Sequence, residues 1–146
     1  MSTRRDQQRA RVYAWENRVV APRDPTTISF AAAQRMVDVI WADMGLRYPP
    51  IVEPLPAQAT ATMATATRLS LQLGAQTPSW CLLHELAHAM SGTYDGQSDG
   101  HGPIFMGLYV QLLVRYLRLE KAQLLRSLDN AGISVLPEVS PVFADA

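Results

Sequence analysis

Two of the chain's three histidines, His84 and His88, stand four positions apart around Glu85 in the stretch HELAH, and the third is His101. On a helix, side chains at i and i+4 lie one above the other, so two imidazoles at this spacing converge on a single ion. The glutamate next to the first histidine then sits beside that ion, where it can take a proton from a water. At about 100° per residue, Leu82, Leu83, Leu86 and Met90 share one arc of the helical wheel, and His84, Glu85 and His88 share the opposite one. The expected chemistry is zinc binding by imidazole, with Glu85 as the general base of a hydrolysis.

A third protein ligand decides the class of site. His101 follows His88 after 12 intervening residues, directly before Gly102-Pro103, and a glycine-containing loop can fold back to deliver it. Asp95, Asp99 and Glu120 are the alternatives. The metzincin spacing is not met, because Ser91 and Tyr94 stand where its glycine and third histidine belong. Asp95, in GTYDG, has an aspzincin-like setting without that motif's later tyrosine, and Glu120 lies 32 positions after His88. Cys81 shares the histidine face, but lies about 7 Å along the axis from the midpoint of the two histidines. That is too far for a Zn–S bond of about 2.3 Å, so Cys81 is expected to be a neighbour of the site. Tyr94 and Tyr109 are candidates for a phenol that stabilises an oxyanion, and Asp99 for a group that orients a ligand histidine.

HELAHAM, followed by DGHGPIF and an apolar helix, resembles the SprT-like zinc metalloproteases, the group that includes Spartan. It is more closely similar to the small HExxH metallohydrolases of actinobacteria and their phages. The resemblance covers about residues 28–118 and is specific at 84–88 and 101–105. It implies a zincin-like core in which His84, His88 and His101 bind zinc and Glu85 is the base, in an enzyme that cleaves peptide bonds. The zinc-finger or DNA-binding extension of the larger proteins is not found in this sequence, so their crosslink-repair role is not carried over.

Elements must position these residues. Residues 6–20 read as a helix, or a helix running into a strand, before Pro22 and Pro25 break the chain. Ser29 is placed to cap a helix whose stripe is Ala33, Met36, Val37, Ile40, Trp41 and Met44, ended by Gly45. The proline-rich stretch 47–56 reads as a connector. Small or apolar residues then alternate with polar ones, which predicts a hairpin with a last strand at 68–73 and Leu69, Leu71 and Leu73 on one face. Thr77-Pro78 supplies a cap and a first-turn proline for the site helix, about 78–91. Residues 91–102 hold four glycines and read as loop; Pro103 opens a helix with Phe105, Leu108, Leu112, Leu113, Tyr116 and Leu117 inward. A short helix at about 120–131 ends at Gly132.

The expected fold is α+β, a small sheet packed by helices in one domain. Around the core at 28–118, a basic segment occupies 1–23 and a helix and tail occupy 119–146. Composition agrees with a globular chain: 48% hydrophobic and 18% charged residues. Thirteen basic residues balance thirteen acidic ones, which argues against a free-standing nucleic-acid binder. Charge is uneven, however, with six arginines (Arg4, Arg5, Arg9, Arg11, Arg18 and Arg23) against Asp6 and Glu16 in residues 1–23. That segment reads first as a solvated face and second as a contact for an acidic or phosphate-bearing partner such as nucleic acid. A single cysteine, no apolar leader and no membrane-length apolar run make a cytoplasmic protein without a membrane partner the expectation. A protein or peptide is the expected substrate. Two other readings share the same residues: a non-catalytic zinc-stabilised binding domain, and a regulatory protease specific for one repressor-like or DNA-bound partner.

Overall fold

Ser29 begins the most regular stretch of the chain because its hydroxyl accepts a hydrogen bond from the Ala32 N–H, satisfying one of the open donors of a new helix. The helix α2 that follows spans Phe30–Asp43 and buries Ala33, Val37, Ile40 and Trp41, while Met36 stays 39% exposed. It stops at Gly45, whose φ of +79° suits glycine alone among common residues. These details come from a computed structural model of the chain, which describes residues 6, 8–56, 64–93 and 98–142. The expectations for residues 57–63, for Tyr94 and for Asp95 lie outside the described residues.

The fold is α+β. Helix α1, Arg9–Trp15, continues through a wide π turn at Glu16–Val20 and a 3-10 turn at Ala21–Arg23, so the N-terminal stretch is helical and does not run into a strand. Strand β1 is Thr27–Ser29, and it pairs antiparallel with β5, Gln76–Pro78, in a two-stranded sheet. A three-stranded sheet has the order β2-β4-β3, from Ile51–Pro54, Ser70–Leu73 and Ala64–Ala66. Strand β3 runs antiparallel to β4, with Thr65 opposite Gln72, so the expected hairpin forms. Within it Leu71 and Leu73 are buried, but Leu69 precedes the strand and is exposed.

Two elements differ from the expectation. The stretch 47–56 is not only a connector, since β2 within it pairs parallel with β4, Val52 opposite Leu71. The strand's one proline, Pro54, is tolerated because β2 lies at the sheet's edge, where a missing N–H breaks no ladder. Nor does Thr77 cap the site helix: it lies in β5, and its buried hydroxyl has no hydrogen-bond partner among the described residues. Helix α3 begins one residue later than expected, at Ser79, and runs to Ser91.

Helix α3 packs against α4, Pro103–Leu117, and against β3, which places it at the centre of the molecule. Helix α5, Lys121–Asn130, lays Leu124 and Leu128 on the core and ends before Gly132, whose φ is +70°. The leucine face of α3 is buried as expected. The opposite face, carrying His84 and Glu85, is buried too, under α1 and the start of α4. Among the described residues no helix is long and apolar enough to cross a membrane.

Candidate metal centre

One turn of α3 brings His84 and His88 together, and the turn before α4 brings His101 back to them. Their Nε2 atoms form a nearly equilateral triangle: His84 to His88 is 3.2 Å, His88 to His101 is 3.2 Å, and His101 to His84 is 3.3 Å. These three buried or nearly buried residues could hold a metal ion. Phe105, in the first turn of α4, packs on all three rings and stacks on His88 at a centroid separation of 4.2 Å.

Each outer nitrogen that faces a carboxylate fixes a tautomer. His84 Nδ1 lies 2.5 Å from Glu16 Oε2, and Tyr109 donates its hydroxyl proton to the same oxygen at 2.6 Å. His101 Nδ1 lies 3.0 Å from Asp6 Oδ1, which also accepts from the His101 backbone N–H at 2.9 Å. A carboxylate accepts, so the imidazole proton of each sits on Nδ1 and the Nε2 lone pair points into the triangle. Two lone pairs 3.3 Å apart then face each other. A donor or a positive charge between them makes the arrangement favourable, and either the Nε2–H of a neutral His88, 3.2 Å from both, or a metal ion supplies it.

Electrostatics follow from the same contacts. Burial lowers the pKa of His84, but the hydrogen bond and charge of Glu16, with the charge of Glu85, make the net shift upward. Burial, with the charges of His84 and His101, holds His88 well below the usual imidazole range. Burial also lowers His101, against the pull of Asp6. Glu85 is pushed up to about 7, chiefly by burial, with Glu16 adding to it and His84 opposing.

Glu85 and His84 open onto a cleft of about 430 Å³, whose other walls include Tyr13, Trp80, Ala64 and Thr65. Cys81 lines the same cleft and is not one of the clustered ligand residues. Burial raises its thiol to about 12, with Glu85 and Glu16 adding to it, so it is a neutral neighbour.

Several candidates are placed elsewhere. Asp99 does not orient a histidine; its carboxylate caps α4 by accepting from the N–H groups of Ile104 at 2.7 Å and Phe105 at 3.3 Å. Glu120 precedes α5 and is exposed, away from the triangle. Tyr109 is fully buried behind the histidines with its hydroxyl committed to Glu16, so it does not face the cleft. Asp6, Tyr13 and Glu16 were not expected at the site. Tyr13 stacks beside His84 and meets His101 edge-on at 5.1 Å. The signal for Glu16 was its spacing, four residues after Val12 on the buried side of a helix. For Asp6 the sequence carries no such signal.

Compared with protein-family models, with curated proteins and with solved structures, the chain matches none.

Proposed function

We propose that the protein is a zinc-dependent metallohydrolase that cleaves peptide bonds, built on a zincin-like core of the SprT-like kind and working in the reducing cytoplasm. The observation that carries the metal is the size of the imidazole triangle. Three nitrogens at about 2.05 Å from a tetrahedral zinc ion stand about 3.3 Å apart. The observed separations are 3.2, 3.2 and 3.3 Å. Three protein nitrogens with no fourth protein ligand among the described residues also match the open coordination of a catalytic site.

His84, His88 and His101 would hold the zinc, which would supply Lewis acidity toward a water and a carbonyl oxygen. Glu85 takes a proton from the attacking water and returns it to the leaving amine. Support for a peptide substrate comes from the cleft wall. Ala64 and Thr65 belong to β3, an edge strand that pairs with β4 on one side and with no strand on the other among the described residues. An extended peptide recognises such an edge through its own backbone.

The test is Glu85→Gln, assayed on an unfolded protein such as casein with fragments read by mass spectrometry. Zinc content is expected to stay at one per chain while turnover falls about 10²–10⁴-fold. Undiminished turnover in the variant, or a zinc-loaded wild type that releases no fragments, overturns the reading.

A further inference from the structure

His101 is reached from the far end of the chain. Asp6, 95 residues away, accepts from both the backbone N–H and the Nδ1–H of His101. Gln8 then donates to the His101 carbonyl at 2.9 Å and to the Ser134 carbonyl at 3.2 Å, and its own carbonyl accepts from the Ser134 N–H at 2.5 Å. Arg11 donates to the Gly132 carbonyl at 2.6 Å. The turn that carries His101 is therefore gripped on one side by the N-terminal segment, which is itself anchored to residues 132–134. Gly100 is shaped for this grip: its φ is +64°, and a Cβ there would lie 2.9 Å from Asp6 Cγ.

We propose that Asp6 and residues 8–16 form a clasp on the metal site, with Asp6 and Glu16 as positioning residues for His101 and His84. The clasp makes metal retention depend on the N-terminal segment, although none of its described residues belongs to the cluster that could hold the ion. His84 and His88 are set by one rigid helix, but His101 comes from a turn whose backbone N–H and carbonyl are both bonded to the clasp. A ligand held in this way loses little freedom when it binds an ion; a ligand on a loose turn loses more, and binds more weakly. The charge of Asp6 also raises the basicity of the imidazole it accepts from. Linkage makes the effect reciprocal: if the closed clasp favours the metal, the metal must favour the closed clasp. Any partner that pulls Asp6 and residues 8–16 away, or any cleavage within residues 8–16, then weakens the hold on the ion.

This inference rests on the proposal that the triangle binds zinc, and its test separates the two. Zinc affinity is measured by competition with a chromophoric chelator for the wild type, Asp6→Asn, Asp6→Ala and, as a control away from the site, Glu120→Gln. Asp6 is the informative position because its side chain is partly exposed and lies outside the apolar core. Both Asp6 variants are expected to lose about 10–100-fold in zinc affinity, with Glu120→Gln unchanged in affinity and in metal-free melting temperature, and with any fall in metal-free stability of the Asp6 variants smaller than their loss of zinc affinity. Hydrogen exchange of the wild type is expected to slow across residues 8–16 when zinc is added. A wild type that binds zinc while both Asp6 variants bind it equally well overturns the clasp and leaves the metal site standing. A wild type that binds no zinc overturns both. A loss of affinity matched by an equal loss of metal-free stability overturns the clasp as a positioning device.

Discussion

Glu16 and Tyr109 lie 93 residues apart in sequence and share a 2.6 Å hydrogen bond beneath the histidines. The same Glu16 oxygen faces His84 Nδ1, so one buried carboxylate joins the N-terminal helix, the site helix α3 and the long helix α4. A carboxyl group this deeply buried needs hydrogen-bond donors around it, and here they come from two different helices.

Replacing Tyr109 with phenylalanine keeps the ring against Trp15 and Phe105 and removes only the donor. Hydrogen bonds to a charged group contribute about 1.5–3 kcal/mol, so Tyr109→Phe is expected to destabilise the metal-free protein by that amount. Urea unfolding measures it. A loss below about 0.5 kcal/mol, the scale of a neutral surface substitution, would show that Glu16 draws its stabilisation from His84 alone.

Alkaline pH reads the same contact. Full burial drives the Tyr109 phenol well above its ordinary range, with the charge of Glu16 adding to the effect. Burial, with the hydrogen bond to Asp43, lifts Tyr116 to about 12. A phenol whose pKa is higher in the folded state stabilises the fold fully below the unfolded value of about 10. That contribution is lost as pH rises from there through the folded value. Phenolate absorbance followed together with circular dichroism should therefore show part of the five-tyrosine signal arriving only as the helices melt. In Tyr109→Phe this late step should lose one tyrosine's amplitude. Complete ionisation near pH 10 with native dichroism would contradict it.

How much of this was legible in the sequence depends on how local each relationship is. His84 and His88 meet because of helical periodicity alone, and Ser29, Gly45 and Pro103 mark helix boundaries by chemistry that acts within one turn. Glu16 reaches His84 across 68 residues and Asp6 reaches His101 across 95, through contacts that exist only after packing. Read along the chain, these two acids only offset arginines. Strand β2 was hidden for a different reason: its four residues include Pro54, and an edge position forgives what a central strand would not. Thr77 has the right type for a cap, but β5 pairing with β1 claims its backbone first.

The tail offers the last test, through a glycine in the middle of a helix. Gly107 faces the chain's C-terminal segment so closely that a Cβ would lie 1.9 Å from the Leu136 carbonyl oxygen and 2.6 Å from Val139 Cγ1. In an isolated helix, alanine would be favoured over glycine by about 1 kcal/mol. Here it must displace backbone, and the tail is held by several bonds: Leu136 N–H to the Pro103 carbonyl, Gln111 to the carbonyls of Pro137 and Val139, and Val142 N–H to the Met90 carbonyl. Overpacking of this kind costs about 1–3 kcal/mol, so the clash outweighs the gain in helix propensity. Gly107→Ala is expected to keep α4, free residues 136–142 and lower the melting temperature. Residues 132–134 hold Gln8 and Arg11 upstream of the clash, so zinc affinity should fall less than in the Asp6 variants. Hydrogen exchange locates the change. Fast exchange confined to the tail fits this account, whereas unchanged protection there would mean that α4 can shift to accommodate a methyl group.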